Sequence, residues 1–87
     1  MHMTSMELID EPAAVTSRTD DEGQISPRRL IWRNRFYQIV SVGRQWEEPE
    51  GRFILVEVSD GTRFELLLRR KDLSWRVKKV WWGRVFV

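Results

Sequence analysis

The chain has 87 residues, which is enough for a single domain. It contains no cysteine, which excludes disulfide bonds, thiolate metal sites and cysteine nucleophiles, and its only histidine, His2, lies in a Met-His-Met start to which we assign no functional weight. The net charge of +2 hides an asymmetry: residues 1–27 carry six acids and one arginine (−5), whereas residues 28–87 carry fourteen bases and seven acids (+7). The basic part favours nucleic acid or an acidic protein surface as partner.

The first quarter of the chain is acidic and weakly patterned. Residues 1–11 show no sustained period, which predicts a disordered or frayed leader ahead of a single β domain at 12–87. Residues 12–18 are expected to form a short edge strand, and the segment 19–26 to form an acidic loop. If the acidic leader covers the basic face and competes with nucleic acid, deleting residues 1–24 should strengthen nucleic-acid binding.

Two alternating segments, 28–33 and 35–42, predict the first hairpin, with Asn34 in the turn because asparagine tolerates positive φ. A loop of even length separates two faces. One carries Leu30, Trp32, Tyr37 and Ile39, and the other carries Ile31, Arg33, Phe36, Gln38 and Val40. Gly43 then predicts a bulge or bend, before a segment that contains Trp46 and the turn around Pro49.

The segment 52–68 predicts the central hairpin, around a three-residue loop of Ser59, Asp60 and Gly61 in which Gly61 takes positive φ. This loop places Val56 opposite Phe64 and Glu57 opposite Arg63. One face is then entirely apolar, whereas a one-residue slip would mix the two faces, so the pattern selects the register. The apolar face contains Ile54, Val56, Val58, Phe64, Leu66 and Leu68.

Residues 75–82 predict the last strand, before the interruption at Gly83. Strict alternation would place Trp75, Val77, Lys79 and Trp81 on one face. Arg76, Lys78, Val80 and Trp82 would lie on the other.

These elements predict an all-β fold: a small antiparallel meander of five to six strands curled into a partly open barrel. No segment from residue 27 onward sustains a helical period. The central strands carry apolar residues on both sides, including Ile31, Phe36, Phe53, Leu55 and Leu67. Either the barrel covers this second side, or it forms an interface in a dimer.

The chain resembles an uncharacterised bacterial family of small all-β domains. The resemblance lies in the residues from Arg29 to Val40, Trp46, Gly51-Arg52, the hairpin around Asp60-Gly61, Trp75-Arg76-Val77 and Val80-Trp81. The family carries a Trp-Arg-Gly-Arg-x-Tyr turn, and Asn34 replaces its usual glycine. The resemblance covers about residues 12–82. It implies a stand-alone protein or a C-terminal appendage, at times associated with Y-family translesion polymerase-like proteins, and therefore a DNA-repair setting.

Basic residues alternate with aromatic ones, a combination that binds phosphates and stacks bases in single-stranded nucleic acid. Tryptophan also fills small cores, and arginine stems cover aromatic rings on ordinary surfaces, so the same pattern has a structural interpretation. The candidate nucleic-acid-binding residues are Arg28, Arg29, Arg33, Arg35, Tyr37, Arg69, Arg70, Lys71, Arg76, Lys78 and Lys79.

The end of the chain is apolar and is expected either to pack back on the barrel or to pair with another copy. The candidate self-association residues are Trp81, Trp82, Val85, Phe86 and Val87. The chain lacks a nucleophile motif, a membrane-length apolar stretch and a signal-peptide pattern. We therefore predict a cytoplasmic, non-enzymatic module without a cofactor, metal, membrane or small-molecule substrate. It would bind a protein or itself, with single-stranded nucleic acid as the alternative.

Overall fold

The computed structural model describes residues 5–83, and these form six strands and no helix. The strands are joined in chain order as a closed antiparallel barrel. They are β1 (Met6–Thr19), β2 (Ile25–Trp32), β3 (Arg35–Glu48), β4 (Gly51–Val58), β5 (Arg63–Arg69) and β6 (Trp75–Trp81). The predicted all-β antiparallel meander barrel is confirmed with six strands. It is closed and not partly open as predicted, because β1 pairs with both β2 and β6.

Strand β1 is longer than predicted. Residues 6–11, assigned to a frayed leader by the sequence, pair with β6, and the second half of β1 pairs with β2, so the strand is not an edge. The alternation was hidden for two reasons. The half-buried positions of β1 alternate without a break across the bulge at Asp10, whose φ is 104°, but one of them holds the charged Glu11. In addition, the apolar Met6 and Leu8 are exposed. Residues 6–11 of the predicted leader therefore belong to the strand that closes the barrel.

The first hairpin has the predicted register, with Leu30 opposite Tyr37 and Ile31 opposite Phe36. Its turn consists of Arg33 and Asn34, whose φ values are 53° and 61°. Positive φ at both positions is typical of the two-residue turn whose twist matches that of its flanking strands. The turn therefore fixes which side of each strand faces the core.

The central hairpin is also confirmed. Val56 lies opposite Phe64 and Glu57 opposite Arg63, while the Val58 amide donates to the Thr62 carbonyl oxygen at 2.9 Å. Gly61 takes a φ of 90° and donates to the Val58 carbonyl oxygen at 2.9 Å. The predicted apolar face points into the barrel.

The face assignment for β6 is wrong beyond Val77. A register shift against β5, between Glu65 and Leu66, makes Lys78 an extra residue in β6. Val77 and Val80 are consequently both buried, whereas strict alternation would place them on opposite faces. The bulge or bend predicted at Gly43 is confirmed, since β3 shifts register against β4 between Val42 and Gln45.

The barrel interior is packed around Trp32 and Phe64, whose rings meet edge to face at 5.7 Å. Tyr37 makes a second edge-to-face contact with Phe64 at 5.1 Å, and Trp82 packs against Trp32 at 6.0 Å. Large rings therefore fill a core that a chain of this length would otherwise build only marginally. No helix within residues 5–83 has the length and apolar character needed to cross a membrane.

Candidate interaction surface

The outer face of β2 and β3 exposes apolar side chains. Ile31 and Phe36 are 51% and 58% exposed and lie opposite each other, and Val40 is 59% exposed further along β3. Ala14 of β1 pairs with Ile31, so Ala14, Ile31 and Phe36 lie side by side on three neighbouring strands. We call this surface the hairpin face and define it by Ala14, Arg29, Ile31, Phe36, Gln38 and Val40.

The second apolar side proposed from the sequence is therefore divided. On the outside of β4 and β5, Phe53 and Leu67 are buried, and Phe53 stacks on Trp46 at 5.4 Å with an interplanar angle of 9°. On the outside of β2 and β3, Ile31 and Phe36 are exposed. The even-loop register already separates Ile31 and Phe36 from the core, but it does not indicate which half of the outer surface is covered.

Four arginines of the first hairpin lie at the exposed surface: Arg28, Arg29, Arg33 and Arg35. Apart from Arg33, none of them has a carboxylate partner within 4.0 Å among the residues that the structure describes. The Arg29 guanidinium carbon lies 6.0 Å from the centroid of the Phe36 ring. Positive charge thus borders the apolar patch and is not neutralised by the described acids.

The later part of the predicted basic set is mostly paired. Lys71 is the exception, with no ion pair to a described acid, and all the other members of this part have carboxylate partners within 4.0 Å. The pairs are Arg69 with Asp72, Arg70 with Glu47, Arg76 with Asp10, Lys78 with Asp10 and Glu50, and Lys79 with Glu65. The predicted basic set is therefore divided into two parts. The cations of β5, the β5–β6 connection and β6 are paired with acids, apart from Lys71. The arginines of the first hairpin have no described acid as partner, apart from Arg33.

Asp10 neutralises two of these cations from its position in the β1 bulge. Its Oδ1 accepts hydrogen bonds from Arg76 Nε at 2.7 Å and from Lys78 Nζ at 3.2 Å. The Arg76 hydrogen bond, followed by that from Lys78, lowers the pKa of the Asp10 carboxyl below its ordinary value. The acidic segment therefore contacts these basic residues as part of a barrel strand. Deleting residues 1–24 would remove β1 itself, and the expected gain in nucleic-acid binding stays a prediction.

Glu11 joins the barrel interior to the first hairpin turn. Its carboxylate accepts hydrogen bonds from Trp32 Nε1 at 3.0 Å, from Arg33 Nε at 2.9 Å and from Arg33 Nη2 at 2.8 Å. The hydrogen bonds from Arg33 and then Trp32 lower the pKa of Glu11, and the same carboxylate raises the pKa of Arg33. Arg33 also lies 4.3 Å above the Trp32 ring, so it is held against the barrel.

The aromatic residues are largely used within the barrel. Tyr37, a candidate base-stacking residue, is 6% exposed, and its position in the core removes it from the nucleic-acid-binding set. Trp81 and Trp82 are half-buried, and the Trp82 indole donates to Glu7 Oε1. Within residues 5–83, Phe36 is the one aromatic residue that is more than half exposed. The other self-association candidates, Val85, Phe86 and Val87, lie outside the described residues.

The acidic residues around the β3–β4 turn are engaged in ion pairs. Glu47 accepts a hydrogen bond from Arg52 Nε and one from Arg70 Nη2 at 3.1 Å, and the Arg52 hydrogen bond lowers the pKa of Glu47. Among residues 5–83, no group of three or more histidine, aspartate or glutamate side chains is placed to hold a metal ion. At this turn, ion pairs from Glu47 connect the end of β3 to β4 and to the β5–β6 connection.

Comparison of the chain with protein-family models, with curated proteins and with solved structures finds no match. The resemblance to the bacterial all-β family therefore stays a prediction. What the fold and the surface define is a closed six-stranded β-barrel with an exposed apolar and basic hairpin face.

Proposed function

We propose that the protein is a non-enzymatic binding module whose contact surface is the hairpin face and whose partner is a protein with an acidic surface. The observation that carries the proposal is the cross-strand pair of Ile31 and Phe36, each more than half exposed. Contiguous exposed apolar groups with polar surroundings are typical of protein contact sites. Ala14 and Val40 extend the same patch along and across the strands.

The hairpin face is held in place before a partner arrives. Its residues stand on paired strands, the turn at Arg33 and Asn34 has two residues, and Glu11 connects Arg33 to the buried Trp32. A surface held in this way loses little conformational entropy on binding, which favours affinity. Since the barrel is closed, each of the six strands has two neighbours. The contact would accordingly be made by side chains and not by strand addition.

Charge selects the class of partner. Arg29 lies beside the exposed Phe36 ring, and Arg28 and Arg35 are exposed on the same hairpin. None of the three has a described acid within 4.0 Å to neutralise it. Arginine is enriched in protein interfaces, where its planar guanidinium forms bidentate hydrogen bonds with carboxylates. A partner with an apolar centre and aspartate or glutamate at its rim is complementary to this surface.

The test compares proteins retained from an extract of the source cells by immobilised wild type and by the double variant Ile31→Ser/Phe36→Ser. Both positions are exposed, so the substitutions leave the barrel core intact. Leu73→Ser is the matched control, because Leu73 is 71% exposed and lies in the β5–β6 connection, away from the hairpin face. We expect a partner retained by wild type and Leu73→Ser and lost with the double variant. Equal retention by all three proteins would refute the assignment.

A second candidate is single-stranded nucleic acid, favoured by the position of Arg29 beside the exposed Phe36 ring. A stacked base contributes about 1–3 kcal/mol, so one ring supplies a single stacking site, and binding would depend mainly on the arginines. A fluorescence-polarisation titration with labelled oligo-dT at about 50 and 200 mM salt measures this directly, since phosphate contacts weaken steeply with salt. Salt-sensitive binding that Phe36→Ser reduces would favour nucleic acid. No binding at low salt would eliminate it.

A further inference from the structure

A cleft of about 610 Å³ lies where the β3–β4 turn meets the β5–β6 connection, beside the bulge of β1. The Arg70 amide donates to the Glu50 carbonyl oxygen at 2.9 Å, which holds the turn and the connection together. A Cβ at Gly51 would stand 3.0 Å from the Arg70 nitrogen, so a glycine at this position permits the close approach. Backbone contacts therefore fix two walls of the cleft, which shares no lining residue with the hairpin face.

Cations dominate the lining of this cleft. They reach it from the end of β5, the β5–β6 connection and β6, and they are Arg69, Arg70, Lys71 and Arg76. The described lining also contains two acids, Asp10 and Glu50, and one apolar residue, Pro49. Lys78 Nζ, outside the lining, lies 3.2 Å from Asp10 Oδ1 and 3.8 Å from Glu50 Oε2, so it shares both acids. We call the cleft lined by these seven residues the basic cleft, and its described acids do not balance its cations.

The cations of the basic cleft keep unused hydrogen-bond donors. Arg76 donates to Asp10 through Nε and Nη2, and Arg70 donates through Nη2 alone. The Nη1 groups of both arginines make no hydrogen bond to a residue within 5–83. Lys71 has no described acid within 4.0 Å. Donors on three side chains therefore remain for a bound anion.

Arg69 is the least satisfied of the four cations. Its side chain is only 25% exposed, and its ion-pair partner Asp72 lies 3.9 Å from Nε, beyond hydrogen-bond distance. The same oxygen of Asp72 already accepts from the amide and the hydroxyl of Ser74, at 3.0 and 2.6 Å. Largely buried donors that lack an acceptor cost free energy. An anion in the basic cleft would supply the missing acceptor.

We propose that the basic cleft binds the phosphate group of a small hydroxyl-rich molecule, of the class of the sugar phosphates. A phosphate monoester carries about −1.5 to −2 charges at pH 7, which matches the excess of cations in the lining. Its oxygens accept charge-assisted hydrogen bonds from guanidinium and ammonium groups. This ligand site is independent of the function proposed for the hairpin face.

The size and polarity of the basic cleft indicate what the phosphate is attached to. A volume of about 610 Å³ lies within the range of small-molecule sites and leaves room for a carbon skeleton beside the phosphate. Because the described lining is charged apart from Pro49, an apolar skeleton would desolvate ionised groups without replacing their hydrogen bonds. Hydroxyl groups instead donate to carboxylates such as that of Glu50.

Amide chemical shifts of the ¹⁵N-labelled full chain, titrated with glucose 6-phosphate, test the proposal. We expect saturable shifts concentrated at residues 49–51 and 69–76. Glucose, which lacks the charge, should cause none, and inorganic phosphate should shift the same amides with at least about fivefold weaker affinity, because it lacks the contacts of the skeleton. Equal affinity for inorganic phosphate would overturn the assignment to an ester. Shifts concentrated on the first hairpin, or no saturation below about 20 mM, would overturn the site itself.

Lys71→Gln tests the site without disturbing a described ion pair. It should raise the dissociation constant for glucose 6-phosphate by at least about fivefold, whereas Lys71→Arg, which keeps the charge, should stay within about twofold of wild type. Arg63→Gln is the matched control, because it also removes one exposed cation but lies at the opposite end of β5 from Arg69. We expect it to bind within about twofold of wild type, since screening weakens charge effects over that distance. Equal weakening by Lys71→Gln and Arg63→Gln would mean that net charge alone attracts the ligand, and would contradict the proposal.

Discussion

Glu11 accepts a hydrogen bond at 3.0 Å from the indole nitrogen of Trp32, a residue 21 positions further along the chain and 2% exposed. This contact joins the closing strand to the largest side chain of the core. The same carboxylate holds Arg33 at the turn of the first hairpin. Glu11, in the acidic first part of the sequence, thus connects the barrel core to the turn at one end of the hairpin face.

Acid should therefore weaken the barrel through β1. The pKa values of Asp10 and Glu11 are lowered in the folded state, so their stabilising effect is complete above the ordinary carboxyl pKa of about 4 and is lost as the pH falls through the lower, folded values. We expect the urea midpoint followed by tryptophan fluorescence to fall when the pH is lowered from 7 to about 3.

Asp10→Asn isolates one contribution to this pH dependence. It removes the charge that Arg76 and Lys78 contact, so the variant should be less stable at pH 7 and lose less stability on acidification than wild type. Asp21→Asn is the control, since Asp21 makes no ion pair with a described cation and the substitution should leave the pH profile unchanged. An unchanged profile for Asp10→Asn would contradict the role given to the β1 bulge.

Gly51→Ala should be severely destabilising. Gly51 has a φ of 151°, and a Cβ there would lie 2.1 Å from the Leu68 carbonyl oxygen, which is backbone and cannot move aside without breaking the β4–β5 pairing. We expect a loss of about 3 kcal/mol or more in the free energy of unfolding. Gly43→Ala provides the comparison, because its Cβ would make ordinary contacts; a similar loss there would show that the close approach at Gly51 is not the cause.

Asn34 sets the geometry of the first hairpin turn. Its φ of 61° is accessible to asparagine and glycine but costs other residues about 1 kcal/mol or more. Asn34→Ala should therefore lower the unfolding free energy by about 1 kcal/mol, whereas Asn34→Gly should leave it within about 0.5 kcal/mol of wild type. Thermal unfolding followed by circular dichroism measures both, and an alanine variant as stable as the glycine variant would exclude a positive-φ turn.

The hairpins were predictable because period-two alternation and turn residues agreed there. Register in the central hairpin followed from keeping Val56 and Phe64 on one apolar face, and the structure has that register. The first hairpin followed in the same way from Leu30 and Tyr37. In both hairpins a one-residue slip would expose apolar side chains, so the local sequence pattern and the burial of apolar residues specify the same strand register.

Strands β1 and β6 were harder to predict, for different reasons. In β1 the inward Glu11 and the exposed Met6 and Leu8 remove the apolar alternation, and the partner of Glu11 is a tryptophan that local spacing does not identify. In β6 a bulge at Lys78 shifts the faces of the residues that follow it. For the site, the first-hairpin arginines could be identified from the sequence. Which cations are neutralised depends on ion pairs between neighbouring strands whose residues lie far apart in the sequence.

The role of the hairpin face is tested most directly by replacing Phe36 with the photo-reactive residue p-benzoylphenylalanine and irradiating the protein in its source cells. The same replacement at Leu73, which is also exposed, serves as the control position. The proposal predicts a discrete covalent adduct with another protein from position 36 and none from position 73. Adducts of equal yield from both positions, or no adduct from position 36 under conditions where the protein is folded, would contradict a binding role for this surface.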